Sequence, residues 1–174
     1  MRDGFGHRIP LDSIGDGERV DLIADEAERK AIAERLSLES LDRLEANVTL
    51  GRDAGRIHAC GRIRASLEQS CVATGDPVAE HVDDCFDVVF MPEPQSAAAA
   101  EEIELAEEDC DVVFHDGSAI DLGSAIADTL ALALDPYPRS ASAEAALREA
   151  GVLTEQRASP FGALARLMKG VDET

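Results

Sequence analysis

The sequence predicts an α+β fold: an antiparallel sheet packed on one main helix, followed by a helical C-terminal tail. Three observations point there. Apolar and polar residues alternate through Leu44 to Leu50, Arg56 to Leu67 and Val78 to Phe90, which reads as three strands with one dry face. Asp121 to Leu134 is apolar on most sides, as a helix laid on that face has to be. The chain has 174 residues, 45% hydrophobic and 30% charged, the size and composition of one ordinary domain with a real core.

Each element has a local signal. His7 to Ile14 and Glu18 to Ile23 read as an edge hairpin, with Gly15 and Gly17 in the connection. A helix starts at Asp25, whose carboxylate caps it while Glu28 returns the contact, and Leu38, Leu41 and Leu44 offer a further turn. Gly51 to Gly55 reverses the chain between the first two strands. The return strand places Ile57, Ala59, Ile63, Ala65 and Leu67 on the dry face, and Arg56, His58, Cys60, Arg62, Arg64 and Ser66 on the wet one. The third strand puts His81, Asp83, Cys85 and Asp87 on its wet face. Asp111 to Phe114 is a fourth strand candidate, and Asp121 caps the main helix, which Pro136 and Pro138 stop; only Ser124, Asp128 and Thr129 are left for water. Residues 1–138 thus form one α+β domain that contains an acidic connector at 91–111. Residues 139–174 form a helical tail, with Ser159 and Pro160 opening a short amphipathic helix.

Charge narrows the function. There are 36 Asp and Glu against 16 Lys and Arg, a formal net charge of -20. The excess is segregated: Ala65 to Pro138 holds 18 acids and no Lys or Arg, whereas both flanks are nearly balanced. Such a field opposes unaided binding to bare polyanions and suits a cationic partner or a well-solvated surface. With one Tyr, five Phe and no Trp, a base-stacking platform for single-stranded nucleic acid is nearly excluded. No run of roughly 20 apolar residues is present, so no membrane span is expected. Met1 to Pro10 lacks an apolar signal core, so the expected compartment is the cytoplasm, with Cys60, Cys71, Cys85 and Cys110 as reduced thiols.

Catalytic patterns are weak. The cysteines form no C-x-x-C pair, so neither a metal nor another cofactor is expected. Ser118 and Ser124 lie near His115 and Asp121 only along the chain, and no strained nucleophile turn or phosphate-cradling loop is present. The remaining constellation is the strip Arg56, Arg62 and Arg64, with Arg52 at the turn, which can meet phosphates of an RNA or ribonucleoprotein. A solvated sheet face with acidic cross-strand partners such as Glu45 accounts for the same residues. Glu101, Glu102, Glu104, Glu107 and Glu108, in the connector, are the candidate contacts for a basic partner.

Three stretches carry a family resemblance. They are Ala24-Asp-Glu-Ala-Glu-Arg through Gly61-Arg-Ile-Arg-Ala to Cys71-Val-Ala-Thr-Gly-Asp-Pro-Val78, then Ile120-Asp-Leu-Gly through Leu134-Asp-Pro-Tyr-Pro138, and the terminal Ser159-Pro-Phe-Gly-Ala-Leu-Ala-Arg-Leu167. In their order and spacing the chain resembles the YceD family of large ribosomal RNA subunit accumulation proteins, in its alphaproteobacterial variant. The resemblance implies a non-enzymatic role in accumulation, processing or assembly of large-subunit ribosomal RNA. It implies as partners the RNA precursor or a pre-ribosomal particle, with a basic large-subunit ribosomal protein as the alternative. Many relatives carry C-x-x-C where this chain has Cys71 and Thr74, so a metal or redox role for that pair is not expected here.

Overall fold

A computed structural model describes residues 5–6, 8–53, 55–93 and 111–152. In chain order the elements are β1 (Arg8–Pro10), β2 (Glu18–Ile23), α1 (Glu26–Leu36), β3 (Ser40–Asp53), β4 (Arg56–Ser70), β5 (Pro77–Pro92), β6 (Asp111–His115), β7 (Ala119–Asp121), α2 (Leu122–Ala133) and α3 (Ala143–Glu149). The architecture is α+β. Strands β2 to β6 form one sheet in sequence order, and β1 and β7 form a separate two-stranded sheet. The chain divides into two compact units, one of Met1–Gln69 with Ala79–Pro136, the other of Ser70–Val78 with Tyr137–Thr174.

In the first unit, period-two alternation makes the large sheet. Strands β2 and β3 pair antiparallel, as do β3 and β4, with Leu44 opposite Ala65, Ala46 opposite Ile63 and Leu50 opposite Ala59. Across β4 and β5, Gly61 lies beside Phe86, Ser66 beside His81 and Gln69 beside Glu80, so the numbers run in opposite directions. Directly opposed residues share a face, and these apolar sets form one buried layer with Val48, Ile57, Leu67, Val82, Val88 and Phe90. Gly61 is required there: a Cβ would sit 2.0 Å from the Asn47 carbonyl oxygen and 3.1 Å from the Phe86 ring.

Helix α2 contributes Leu122, Ala125, Ile126, Ala127 and Leu130 to the same buried core. The Asp121 carboxylate caps it, accepting from the Ser124 amide at 2.9 Å. Gly123 lets the chain at Phe5 approach: a Cβ would lie 1.6 Å from the Phe5 carbonyl oxygen. Helix α1 also reaches the core through Ile32, with Ala33 and Leu36 packed on it. Its capping box is the one the sequence predicts, Glu28 N to Asp25 at 2.8 Å and Asp25 N to Glu28 at 2.9 Å.

Several expectations are corrected. Arg8–Pro10 does not pair with Glu18–Ile23; it pairs with Ala119–Asp121, while β2 takes the edge beside β3. Alternation marks a strand without naming its partner. Helix α1 does not extend to Leu44, because Ser37 turns left-handed at φ 57° and Leu41 and Leu44 enter β3. The sheet is not wholly antiparallel, since β6 runs parallel to β5. Leu132 is exposed on α2 where the sequence pattern left only polar residues to water. β5 runs on to Pro92 and β6 begins at Asp111, so both ends of the expected 91–111 connector are strand. The connector's acidic glutamates and the helix expected after Ser159 lie outside the described residues.

In the second unit, Cys71 N donates to the Asp76 carbonyl at 2.7 Å and Gly75 N to the Cys71 carbonyl at 2.9 Å, with Gly75 at φ 74° closing the turn. Helix α3, Ala143–Glu149, lies within the span expected as a helical tail.

Candidate functional site: the charged face of the sheet

The face of the sheet turned away from the core is a mosaic of arginines and acids. Register places Asp21, Asn47 and Arg62 in one row, and Ile23, Glu45 and Arg64 in the next. Asp83 arrives from β5 and is shared: its Oδ1 accepts from Arg62 Nε and lies 3.5 Å from Arg64 Nε. Arg64 Nη1 also reaches Asn47 Oδ1 at 3.5 Å, and Asn47 Nδ2 donates to Asp21 at 2.8 Å. Arg43 donates to Glu45 at 2.6 Å.

The electrostatics follow the contacts. The hydrogen bond from Arg62 holds the Asp83 carboxyl below its ordinary range, the charges of Arg62 and Arg64 adding to it, and Asp83 in turn raises the Arg62 guanidinium. Arg43 lowers Glu45 in the same way. Arg62, Arg64 and Asp83 are each about half exposed. Ion pairs this exposed contribute little to stability, because water screens both partners.

The predicted strip is thus partly assembled. Arg62 and Arg64 stand together, Arg56 is exposed on the same face with no ion pair among the described residues, and Arg52 stands apart. Arg52 is in register with Ile57 and its guanidinium donates to the Leu11 carbonyl. Glu45, the acidic partner expected across the strands, pairs with Arg43 on its own strand, although the charge of Arg64 also reaches it. Nothing local in the sequence tells that Asp83 binds two arginines; that needs the β4–β5 register.

Sequence reasoning missed an apolar corner. Val89 is opposite Val112, and Met91 opposite Phe114, on the charged side of β5 and β6. Phe114 is 53% exposed. The alternation of Val112 and Phe114 with Asp111 and Val113 was its only trace in the sequence.

The second unit has its own polar cluster. Ser142 Oγ and Thr74 Oγ1 each donate to Asp76 Oδ2 at 2.8 Å, and Ser140 N donates to the buried Cys71 sulfur at 3.3 Å. Hydrogen bonds from Ser140, then from Thr74, pull the Cys71 thiol down to about 6. Thr74 therefore serves as a hydrogen-bonding neighbour of Cys71. Among the described residues no group of His, Cys, Asp and Glu is arranged to hold a metal ion, and no helix is long and apolar enough to cross a membrane.

The sequence profile described as large ribosomal RNA subunit accumulation protein YceD matches residues 59–168, more than half of the chain. The chain belongs to this family. The matched span takes in Arg62, Arg64, Asp83 and the Cys71 turn, and leaves Arg52 and Arg56 outside it. Searches of curated proteins and of solved structures give no match.

Proposed function

We propose that this YceD-family protein is a non-enzymatic, cytoplasmic factor that supports accumulation, processing or assembly of large-subunit ribosomal RNA, and that it meets its ribonucleoprotein partner through the charged sheet face. Family membership over residues 59–168 carries the reading. The arrangement of Arg62, Arg64 and Asp83 supports a mode of contact. Two half-exposed guanidiniums held by one carboxylate can exchange it for a phosphate at small cost, and Arg56 adds a third positive group near the hairpin end. Arg52, in register with the core residue Ile57 and tied to the Leu11 carbonyl, stands outside this contact.

Precursor particles co-sedimented with the protein test this. Arg62→Glu with Arg64→Glu is expected to weaken association while leaving the fold intact, since neither side chain enters the core. Unchanged co-sedimentation removes the strip from consideration.

A second reading, an acidic binding protein for a basic large-subunit ribosomal protein, is favoured by the 18 acids and no bases of Ala65 to Pro138. Changing Glu101, Glu102, Glu104, Glu107 and Glu108 to Gln tests it: affinity for a purified basic large-subunit protein should fall and its salt dependence flatten. A pull-down from growing cells separates the readings. Partners lost on ribonuclease treatment favour the RNA mode, and partners retained favour the protein mode.

A further inference from the structure

We propose that Asp83 is an internal stand-in for an RNA phosphate: its carboxylate fills the gap between Arg62 and Arg64, and an RNA strand binds this face by displacing it. The proposal rests on the first reading above, and assigns to Asp83 the control of that same face.

The geometry sets the role. Arg62 and Arg64 occupy alternate positions of β4 and so point to one side of the sheet. They converge on a single oxygen of Asp83, Arg62 Nε donating to Oδ1 and Arg64 Nε lying 3.5 Å from it. A phosphate oxygen offers guanidinium groups the same charge and acceptor that this carboxylate oxygen supplies. On its other side Arg64 Nη1 reaches Asn47 Oδ1 at 3.5 Å, and Asn47 Nδ2 donates to Asp21 at 2.8 Å.

Charge decides the consequence. The connected set of Arg62, Arg64, Asp83 and Asp21 holds two positive and two negative groups, so with Asp83 in place it exerts no net pull on a polyanion. With Asp83 displaced, two guanidiniums answer to one aspartate. Asp83 is half exposed and stands on β5, so its side chain can turn to water while β4 keeps both arginines in place. A small anion gains little by replacing one acceptor with another. A strand that also meets Arg56, further along β4 on the same face, gains a contact that Asp83 does not offer. The carboxylate thus filters ligands by the number of phosphates they present.

The full-length protein is titrated at fixed salt with an in vitro transcript of large-subunit ribosomal RNA. Asp83→Asn keeps the shape of the side chain and should tighten binding about two- to fivefold, the range set by releasing one exposed ion pair. Asp84→Asn is the control. It removes the same charge one residue along β5, from the opposite face, where Asp84 accepts from the Cys85 amide at 2.8 Å, and it should change binding less. Both are exposed strand positions, so both variants should keep the parent's denaturation midpoint. Adding Arg62→Gln to Asp83→Asn should abolish the gain. Weaker binding by Asp83→Asn overturns the proposal and makes Asp83 a positioning residue for the arginines. An equal gain in Asp84→Asn, or a gain that survives Arg62→Gln, overturns it in favour of bulk charge. No change in Asp83→Asn, while Arg62→Glu with Arg64→Glu still weakens binding, sinks the role of Asp83 and leaves the sheet-face reading standing. RNA binding that is absent from parent and Asp83→Asn alike, or that responds to none of these changes, sinks both.

Discussion

The two faces of the same five strands differ in what holds their residues in place. On the inner face, Ile63, Ala59 and Leu50 are excluded from water altogether and their neighbours are fixed by volume. One residue away on β4, Arg62 and Arg64 are half exposed and fixed by a single carboxylate. The inner face tolerates no change of shape. The outer one is held by half-exposed ion pairs that no core packing fixes.

The contrast can be broken at adjacent positions. Ile63→Ala should destabilise the protein by about 2–5 kcal/mol, because the emptied space lies in the middle of the core layer; a loss below about 1 kcal/mol in chemical denaturation would show that the layer is looser than its burial implies. Gly61→Ala should cost about 1–3 kcal/mol, since the methyl group meets the Asn47 carbonyl and the Phe86 ring. Its denaturation midpoint falling with that of Ile63→Ala would place β3 and β5 in tight register around it. Arg62→Ala, between these two positions, should stay within about 0.5 kcal/mol of the parent.

The smallest effect is on titration. Asp83 should show an NMR titration midpoint below that of an ordinary aspartate, rising toward the ordinary value in Arg62→Gln. A carboxylate with a depressed folded pKa favours the folded state above its unfolded pKa, and the benefit fades as pH falls through the folded value. Any acid-side contribution of this pair is therefore lost below the ordinary aspartate range. A midpoint that does not move in Arg62→Gln would show that Arg62 does not hold Asp83 in solution.

Much of the fold was legible from local pattern. Alternation in β3, β4 and β5 named the residues of the inner face, and the Asp25 and Asp121 caps located the helix starts. What stayed hidden depends on partners distant in sequence. Arg8–Pro10 is too short to show a partner preference and pairs with Ala119–Asp121, far along the chain. The candidate site divides along the same line: which face Arg62 and Arg64 occupy follows from parity, whereas the sharing of Asp83 and the tie between Arg52 and Leu11 follow from register and turn geometry. Phe114 was passed over because one aromatic in a short strand gives the same pattern whether its strand is central or marginal.

The pairing of β1 with β7 also sets an order of events. Strands β2 to β5 form contacts between neighbours along the chain, which close quickly because little loop entropy is lost. Arg8–Pro10 leaves the synthesising ribosome early but has no β-partner until Ala119–Asp121 emerges, and the main chain at Phe5 waits equally for Gly123. A segment made well before its partner is thus among the last to settle, and its closure reports that Ala119–Asp121 and the start of α2 have been made.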